Sequence, residues 1–282
     1  MLKIEKKFNN IKIHTQYSIC EGAIKIDDLA DYCKRNKIHS MGLADSYNLC
    51  GALEFSEKLS KVGTHPIIGT QINLKVNNII GKITLYAKSE KGYKNLTKLS
   101  SLSYLNRKEV EEPNCEIQDI IANNNDLILL TGSYRDFFGK IFQANKLKDF
   151  ENTIISFKKH FKDRIYFEIQ RHSENDEVNF ENYLLKSSKF LNIPIIATQE
   201  VFYLDQNMYE AHDALTCIGE KNFIEDNNRF KFSNEHYLKK HEELLDLYSD
   251  IPEALENNFN FHLRFSFKPK KSKPILPSIA NS

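Results

Sequence analysis

Along the first 74 residues, short apolar runs alternate with longer stretches in which apolar residues recur every three or four positions. Residues 11–14, 41–45 and 66–74 are the short runs. Each meets polar residues at its end: His14-Thr15-Gln16, Asp45-Ser46 and Gln71. Between them, residues 26–36 place Ile26, Leu29, Ala30 and Cys33 on one face, and residues 51–62 do the same with Ala52, Phe55, Leu59 and Val62. Such a stripe marks a helix lying on a sheet. Strand, helix, strand, helix, strand with short links predicts a parallel sheet.

The pattern continues. KITLYA at 82–87 alternates, which predicts a strand with one wet face. Tyr93, Leu96, Leu99 and Leu102 share the face of a helix over 92–104, and a short helix over 116–123 ends at the polar run Asn123-Asn124-Asn125-Asp126. LILL at 127–130 reads as a buried strand, with Thr131-Gly132-Ser133 turning after it. Residues 137–161 predict two helices, with Phe137, Phe138, Phe142, Phe157 and Phe161 in the core. IYFEIQ at 165–170 is a strand running into Arg171-His172, 179–191 is an amphipathic helix, and 193–198 is a strand ending in Gln199-Glu200. Helices follow over 208–218, 242–248 and 252–261. From Lys268 the chain holds three prolines and the lysines of Lys270-Lys271-Ser272-Lys273, and it reads as an extended, solvated linker. Roughly six or seven strands, most followed by a helix, predict an α/β barrel.

Composition narrows the classes. The 282 residues suffice for one large α/β domain or two small ones. No apolar run reaches the ~18 residues of a membrane span, and the N-terminus has no signal-like core, so a cytoplasmic protein without a membrane partner is expected. Five scattered cysteines without a CxxC pair argue against a disulfide framework and a structural zinc site. The net charge of +1 gives no support for nucleic-acid binding by composition, and leaves only a local patch for it.

Working groups in such sheets gather where strands end at their C-terminal edge. The groups there are His14, Asp45, Gln71, His172, Gln199 and Glu200. Converging imidazoles and carboxylates suit a metal site for hydrolysis. The plain alternatives are a hydrogen-bonded structural histidine and an Asp45 that caps the next turn. No H-x-H, H-E-x-x-H, P-loop, G-x-G-x-x-G or G-x-S-x-G is present.

IHTQYSICEGAIKIDDLADYCKRNKIHSMGLADSYNLCGALEF and HPIIGTQINL closely resemble the polymerase and histidinol phosphatase (PHP) domain, in the version at the N-terminus of the bacterial replicative DNA polymerase III alpha subunit. The likeness runs on through LYAKSEKGYKNLTKLSS, DLILLTGS, YFEIQRHSENDE, LNIPIIATQEVFYL, DIPEALENN and KPILP. It implies a distorted TIM-like (β/α)7 barrel over residues 1–267, with 268–282 leading toward a polymerase palm that lies beyond this sequence. Polymerisation, and the Mg it needs, would belong to that longer protein.

In active PHP domains the barrel mouth holds up to three metal ions on His, Asp and Glu ligands and cleaves phosphoesters. By the resemblance, the first motif is Lys12-Ile13-His14 where His-x-His is expected. The second is Asp45-Ser46 for Asp-His. Gln71 stands for Glu and Lys82 for His. His172 is retained, and Glu200-Val201-Phe202 replaces Asp-x-His. Two lysines would repel metal and neutralise Asp45 or Glu200 instead. A degenerate site without cofactor is therefore expected, with a Lys–carboxylate network holding the mouth together and Glu21 capping or approaching it. The implied role is a structural domain of the alpha subunit, DNA being a partner only in the full-length context, that docks the proofreading exonuclease subunit. The alternatives are a metal-dependent phosphoesterase or 3'–5' exonuclease holding Zn or Mn on His14, Asp45, His172 and Glu200, and a free-standing histidinol-phosphate-type phosphatase, which DIPEALENN through KPILP argues against.

Overall fold

The protein is described from a computed structural model covering residues 6–105 and 111–272. The predicted alternation is present. β1 (Lys12–Ile13), α1 (Ile26–Arg35), β2 (Ser40–Leu43), α2 (Ala52–Lys61) and β3 (His65–Val76) form two parallel crossover units. β4 (Ile79–Ala87) then turns back against β3 as an antiparallel hairpin arm. α3 (Glu90–Leu105), the two-residue β5 (Cys115–Glu116) and α4 (Ile117–Ala122) lead to β6 (Leu127–Leu130). α5 (Phe137–Gln143), α6 (Leu147–Phe161), β7 (Ile165–Ile169), α7 (Glu177–Leu191), β8 (Ile195–Ala197) and β9 (Glu200–Val201) follow, and α8 (Tyr209–Glu220), α9 (His241–Leu247) and α10 (Pro252–Phe261) complete the chain.

The strands lie in the order β8-β7-β6-β4-β3-β2-β1-β9, with β5 beside β3. The two ends of that order are one stretch of chain. β8 pairs with β7, and only Thr198 and Gln199 separate it from β9, which pairs with β1. The last strand therefore bends and bridges the two edges, closing the sheet into a seven-stranded barrel. β4, antiparallel to both β3 and β6, is its irregular member.

Alternating side chains divide the core. Between barrel and helices, one cluster joins Leu29, Cys33, Phe55 and Leu59 to Ile13, Leu43 and Ile68, and a larger one joins Phe138, Phe157 and Phe161 to Leu85, Leu129 and Phe167. Inside the barrel, Ile67, Tyr86, Ile128, Tyr166 and Ile196 form an apolar floor that Phe261 and Phe265 plug from below. Above the floor the inward positions turn polar: Lys12, Thr84, Gln71, Glu168 and Thr198 are all buried.

Two expectations need correction. Beyond Lys82, β4 has no wet face, because Ile83, Leu85 and Ala87 pack outward while Thr84 and Tyr86 point into the barrel, and all five are buried. The described start of the tail is not free in solvent. Pro269 O accepts from Ser56 Oγ at 3.1 Å, Lys268 Nζ donates to Ser60 Oγ at 2.9 Å, and Lys271 pairs with Glu57 at 3.2 Å, which lays it along α2. Lys273 lies outside the described residues. Phe137, Phe138, Phe157 and Phe161 are buried as expected, and Phe142 is partly so.

Candidate functional site

β1 aims Lys12 into the barrel, where it has no exposed surface. Its Nζ lies 3.2 Å from Asp136 Oδ2, 3.4 Å from Glu200 Oε1 and 3.5 Å from Glu168 Oε2. Glu168 is an inward residue of β7, Glu200 opens β9, and Asp136 comes from the turn after β6. Burial works to strip the Lys12 proton, but the three carboxylates outweigh it and hold the ammonium well above its ordinary range.

Glu200 is the hinge of the arrangement. Its Oε1 accepts from Gln71 Nε2 at 2.8 Å and lies 3.0 Å from His14 Nε2. Burial opposes its charge, yet Lys12 and then His14 hold its carboxyl well below the usual range. In Glu168 burial prevails over Lys12 and raises the carboxyl, although Gln170 Nε2 and Thr198 Oγ1 both donate to its Oε1.

A second lysine contact lies nearer solvent. Lys82 Nζ sits 2.7 and 2.9 Å from the two carboxylate oxygens of Glu21 and 3.0 Å from Ser46 Oγ. Ser46 Oγ in turn reaches Glu21 and Gln71 Oε1. Lys82, Glu21, Asp136, Glu200, Phe202 and Phe232 line a cavity of about 640 Å³ at the mouth.

Asp45 plays another part. It accepts from Thr15 N at 2.6 Å, Thr15 Oγ1 at 2.8 Å and Ser18 Oγ at 2.7 Å, and so fastens the turn after β1 to the end of β2. Burial raises its carboxyl, and these donors oppose the rise. His172 stacks on His236 with ring centroids 4.0 Å apart, and its backbone N–H donates to the Glu177 carboxylate at 2.9 and 3.0 Å. Burial and then His236 push the His172 imidazole far down, while burial pushes Glu177 up to about 7. Phe202 stacks on His14 at 4.5 Å and packs against Phe232 at 4.7 Å.

The structure thus brings Lys12, His14, Gln71 and Glu200 into one network and joins Lys82 to it through Ser46. Of the two acids expected to meet the lysines, Glu200 does and Asp45 does not: Lys12 takes Glu200 together with Asp136 and Glu168, and Lys82 takes Glu21, while Asp45 is held by Thr15 and Ser18. Of the two roles considered for Glu21, it takes the approach to the site. Asp136, Glu168 and His236 were missed by sequence reasoning. Glu168 carried a signal, a lone acid at an inward position of an otherwise apolar strand, which needs a cation to be buried. Asp136 and His236 lie in turns without periodicity.

These donors do not fit a divalent cation. The point shared by Asp136, Glu168 and Glu200 already holds an ammonium, Glu200 Oε1 serves three donors, and both Asp45 oxygens are taken. Among the described residues, no group of three or more His, Cys, Asp or Glu side chains is placed to hold a metal ion. Among the described residues, His172 Nε2, His236 Nε2 and Glu174 Oε1 are buried without a hydrogen-bond partner, the last two 3.8 Å apart.

The PHP domain family profile matches residues 10–172. The chain is similar to DNA polymerase III subunit alpha of Caulobacter vibrioides, 34% identical over 281 residues that make up 96% of this chain and 24% of that protein. It is likewise similar to the same subunit of Borreliella burgdorferi, 34% identical over 98% of this chain and 25% of that one. In Vibrio cholerae the figures are 30%, 97% and 24%. The chain therefore spans about a quarter of the length of the curated relatives it matches. Among solved structures it is similar to a two-domain protein from Bacteroides vulgatus described as containing a predicted PHP-like metal-dependent phosphoesterase, with TM-score 0.49 and 12% identity over 85% of this chain and 62% of that one. No described helix is long and apolar enough to cross a membrane.

Proposed function

The chain belongs to the PHP domain family, and on that premise we propose that it is a non-catalytic member: the N-terminal PHP domain of a DNA polymerase III alpha subunit, with a degenerate metal site. It works as a structural unit for the rest of that subunit and docks the proofreading exonuclease subunit. One observation carries the reading. The Lys12 ammonium sits among Asp136, Glu168 and Glu200, where a hydrolase would need a dication, so the mouth has an internal counter-ion that cannot exchange with solution. Lys82 against Glu21 and the apolar ring of Phe202 support it further. Similarity to alpha subunits over nearly the whole chain supports the placement in that protein.

A phosphoesterase or 3'–5' exonuclease working from His14, Asp45, His172 and Glu200 is the competing reading. It has less support, because only His14 and Glu200 of that set touch, and the other two are committed to Thr15, Ser18 and His236.

Elemental mass spectrometry of the purified chain, before and after soaking in zinc and manganese, tests the site. Less than about one tenth of an ion per chain is expected. A stoichiometric ion that His14→Ala removes, together with hydrolysis of a phosphoester, would sink the degenerate-site reading. A pull-down with the exonuclease subunit tests the docking separately. Retention at micromolar concentration is expected, and its absence would remove that part alone.

A further inference from the structure

At the end of the barrel away from the mouth, where β7 and β8 begin, the last turns of α6 and α7 come together. Lys158 Nζ donates to Leu191 O and ties the two helix ends. Beside this junction lies an open crevice of about 660 Å³ lined by Ile155, Lys158, Lys159, Lys162, Asn192 and Pro194 and by one acid, Asp163. Lys186 and Lys189 stand exposed on the last turns of α7. No carboxylate pairs with any of these five lysines among the described residues. That acid, Asp163, is paired with Arg264 at 2.6 Å. In a chain of net charge +1 this is a local concentration of unmatched positive charge.

Lysines in the last turn of a helix complement its dipole, and that accounts for some of them. It does not account for the apolar side chains set among them. Phe190 is 85% exposed and Ile155 is 52% exposed. Leaving a phenyl ring in water beside lysines costs free energy that a partner with both negative charge and flat apolar faces would recover. A single strand of nucleic acid has both: phosphates for the lysines and unstacked bases for the ring. A duplex hides its bases, and an acidic peptide offers no regular planar faces.

We propose that this end of the barrel, formed by Lys158, Lys159, Lys162, Lys189, Ile155 and Phe190, is a binding surface for single-stranded nucleic acid. The inference stands apart from the degenerate-site reading, since no residue of the mouth takes part.

Fluorescence anisotropy with a labelled oligothymidylate of roughly 20 nucleotides tests it on the 282-residue chain. At about 50 mM salt the chain is expected to bind in the micromolar range, with an affinity that falls as salt rises. The variant Lys159→Glu/Lys162→Asn/Lys189→Glu is expected to bind at least tenfold more weakly and to show a shallower salt dependence. Phe190→Ser is expected to lose severalfold in affinity for the single strand and little for a duplex of the same length. Circular dichroism melts report whether each variant is folded. If the charge-reversed variant melts early, Lys159→Gln/Lys189→Gln takes its place, with a loss of about threefold or more expected. No binding by the parent chain at about 100 µM would overturn the proposal. So would variants that bind as the parent does, or a Phe190→Ser loss equal for single strand and duplex.

Discussion

Lys12 and Glu200 are partners twice over: their Cα atoms pair in register across β1 and β9, and Lys12 Nζ lies 3.4 Å from Glu200 Oε1. The backbone pairing that closes the barrel and the ion pair that neutralises its interior are thus made by the same two residues. Barrel closure places the carboxylate, and the carboxylate in turn makes it possible to bury a lysine.

Removing that cation leaves carboxylates buried without a counter-charge. Lys12→Met keeps most of the volume and is expected to destabilise the chain by about 3–5 kcal/mol, read from urea denaturation at pH 7. A loss under about 1 kcal/mol would mean that the cluster contributes little.

Stability should respond to pH at both ends. Glu200 titrates below its ordinary value of 4.5 in the folded state, so the unfolded chain takes up its proton first. Its contribution is whole above about pH 4.5 and is lost as pH falls through the lower folded value. Lys12 titrates above 10.5, so its contribution is whole below that pH and is lost as pH rises through the higher folded value. Burial raises Asp45 and Glu168, which therefore favour the folded state in acid and lose that advantage as pH rises. The urea midpoints of the parent and Glu200→Gln should accordingly lie furthest apart near pH 7 and converge below about pH 4.5. A gap that stays constant to pH 3 would contradict the assignment.

Gln71 donates to Glu200 at 2.8 Å. Gln71→Glu would replace that donor with a second carboxylate, at a cost of about 2–3 kcal/mol from the lost charge-assisted bond and the repulsion. The cost should shrink on acidification, because a proton shared between the two acids relieves it. Thermal midpoints of parent and variant at pH 7 and pH 5 give the comparison, and an equal difference at both would argue against the contact.

Asn258 is fully buried, takes a hydrogen bond from Asn9 N at 2.7 Å and donates to Asn9 O at 3.0 Å and Ala197 O at 2.9 Å. It binds α10 to the segment before β1 and to β8. Asn258→Ala strands these backbone groups and is expected to cost about 2–4 kcal/mol. A variant that unfolds within about 0.5 kcal/mol of the parent would show that water replaces the amide.

The repeating elements were legible because each carries its own periodicity. The stripe Ile26, Leu29, Ala30, Cys33 buries the face it predicts, and LILL at 127–130 is buried throughout. The closure was not legible, since Glu200 and Val201 make a two-residue strand only by meeting β1, which is 188 residues away in sequence from Lys12 to Glu200. Nor was the cluster around Lys12: Asp136 reaches it from a turn, and only the assembled barrel shows which acids a lysine will meet. Resemblance located the substituted positions but only one of their new partners, Glu200, and not Asp136, Glu168 or Glu21 in that role. It pointed the lysines at Asp45 or Glu200: Lys12 does meet Glu200, whereas Asp45 is held by the hydroxyl and amide donors of Thr15 and Ser18.

The bent last strand has a mechanical consequence. A hoop is weak where its overlap is short, and the overlap between β1 and β9 is only two residues long. Prising it apart, however, drags Lys12 away from one member of its anionic cage and leaves the charge stranded in a dry interior. This short joint is therefore latched electrostatically, and the latch, being covalently part of the chain, cannot be drawn off by a chelator.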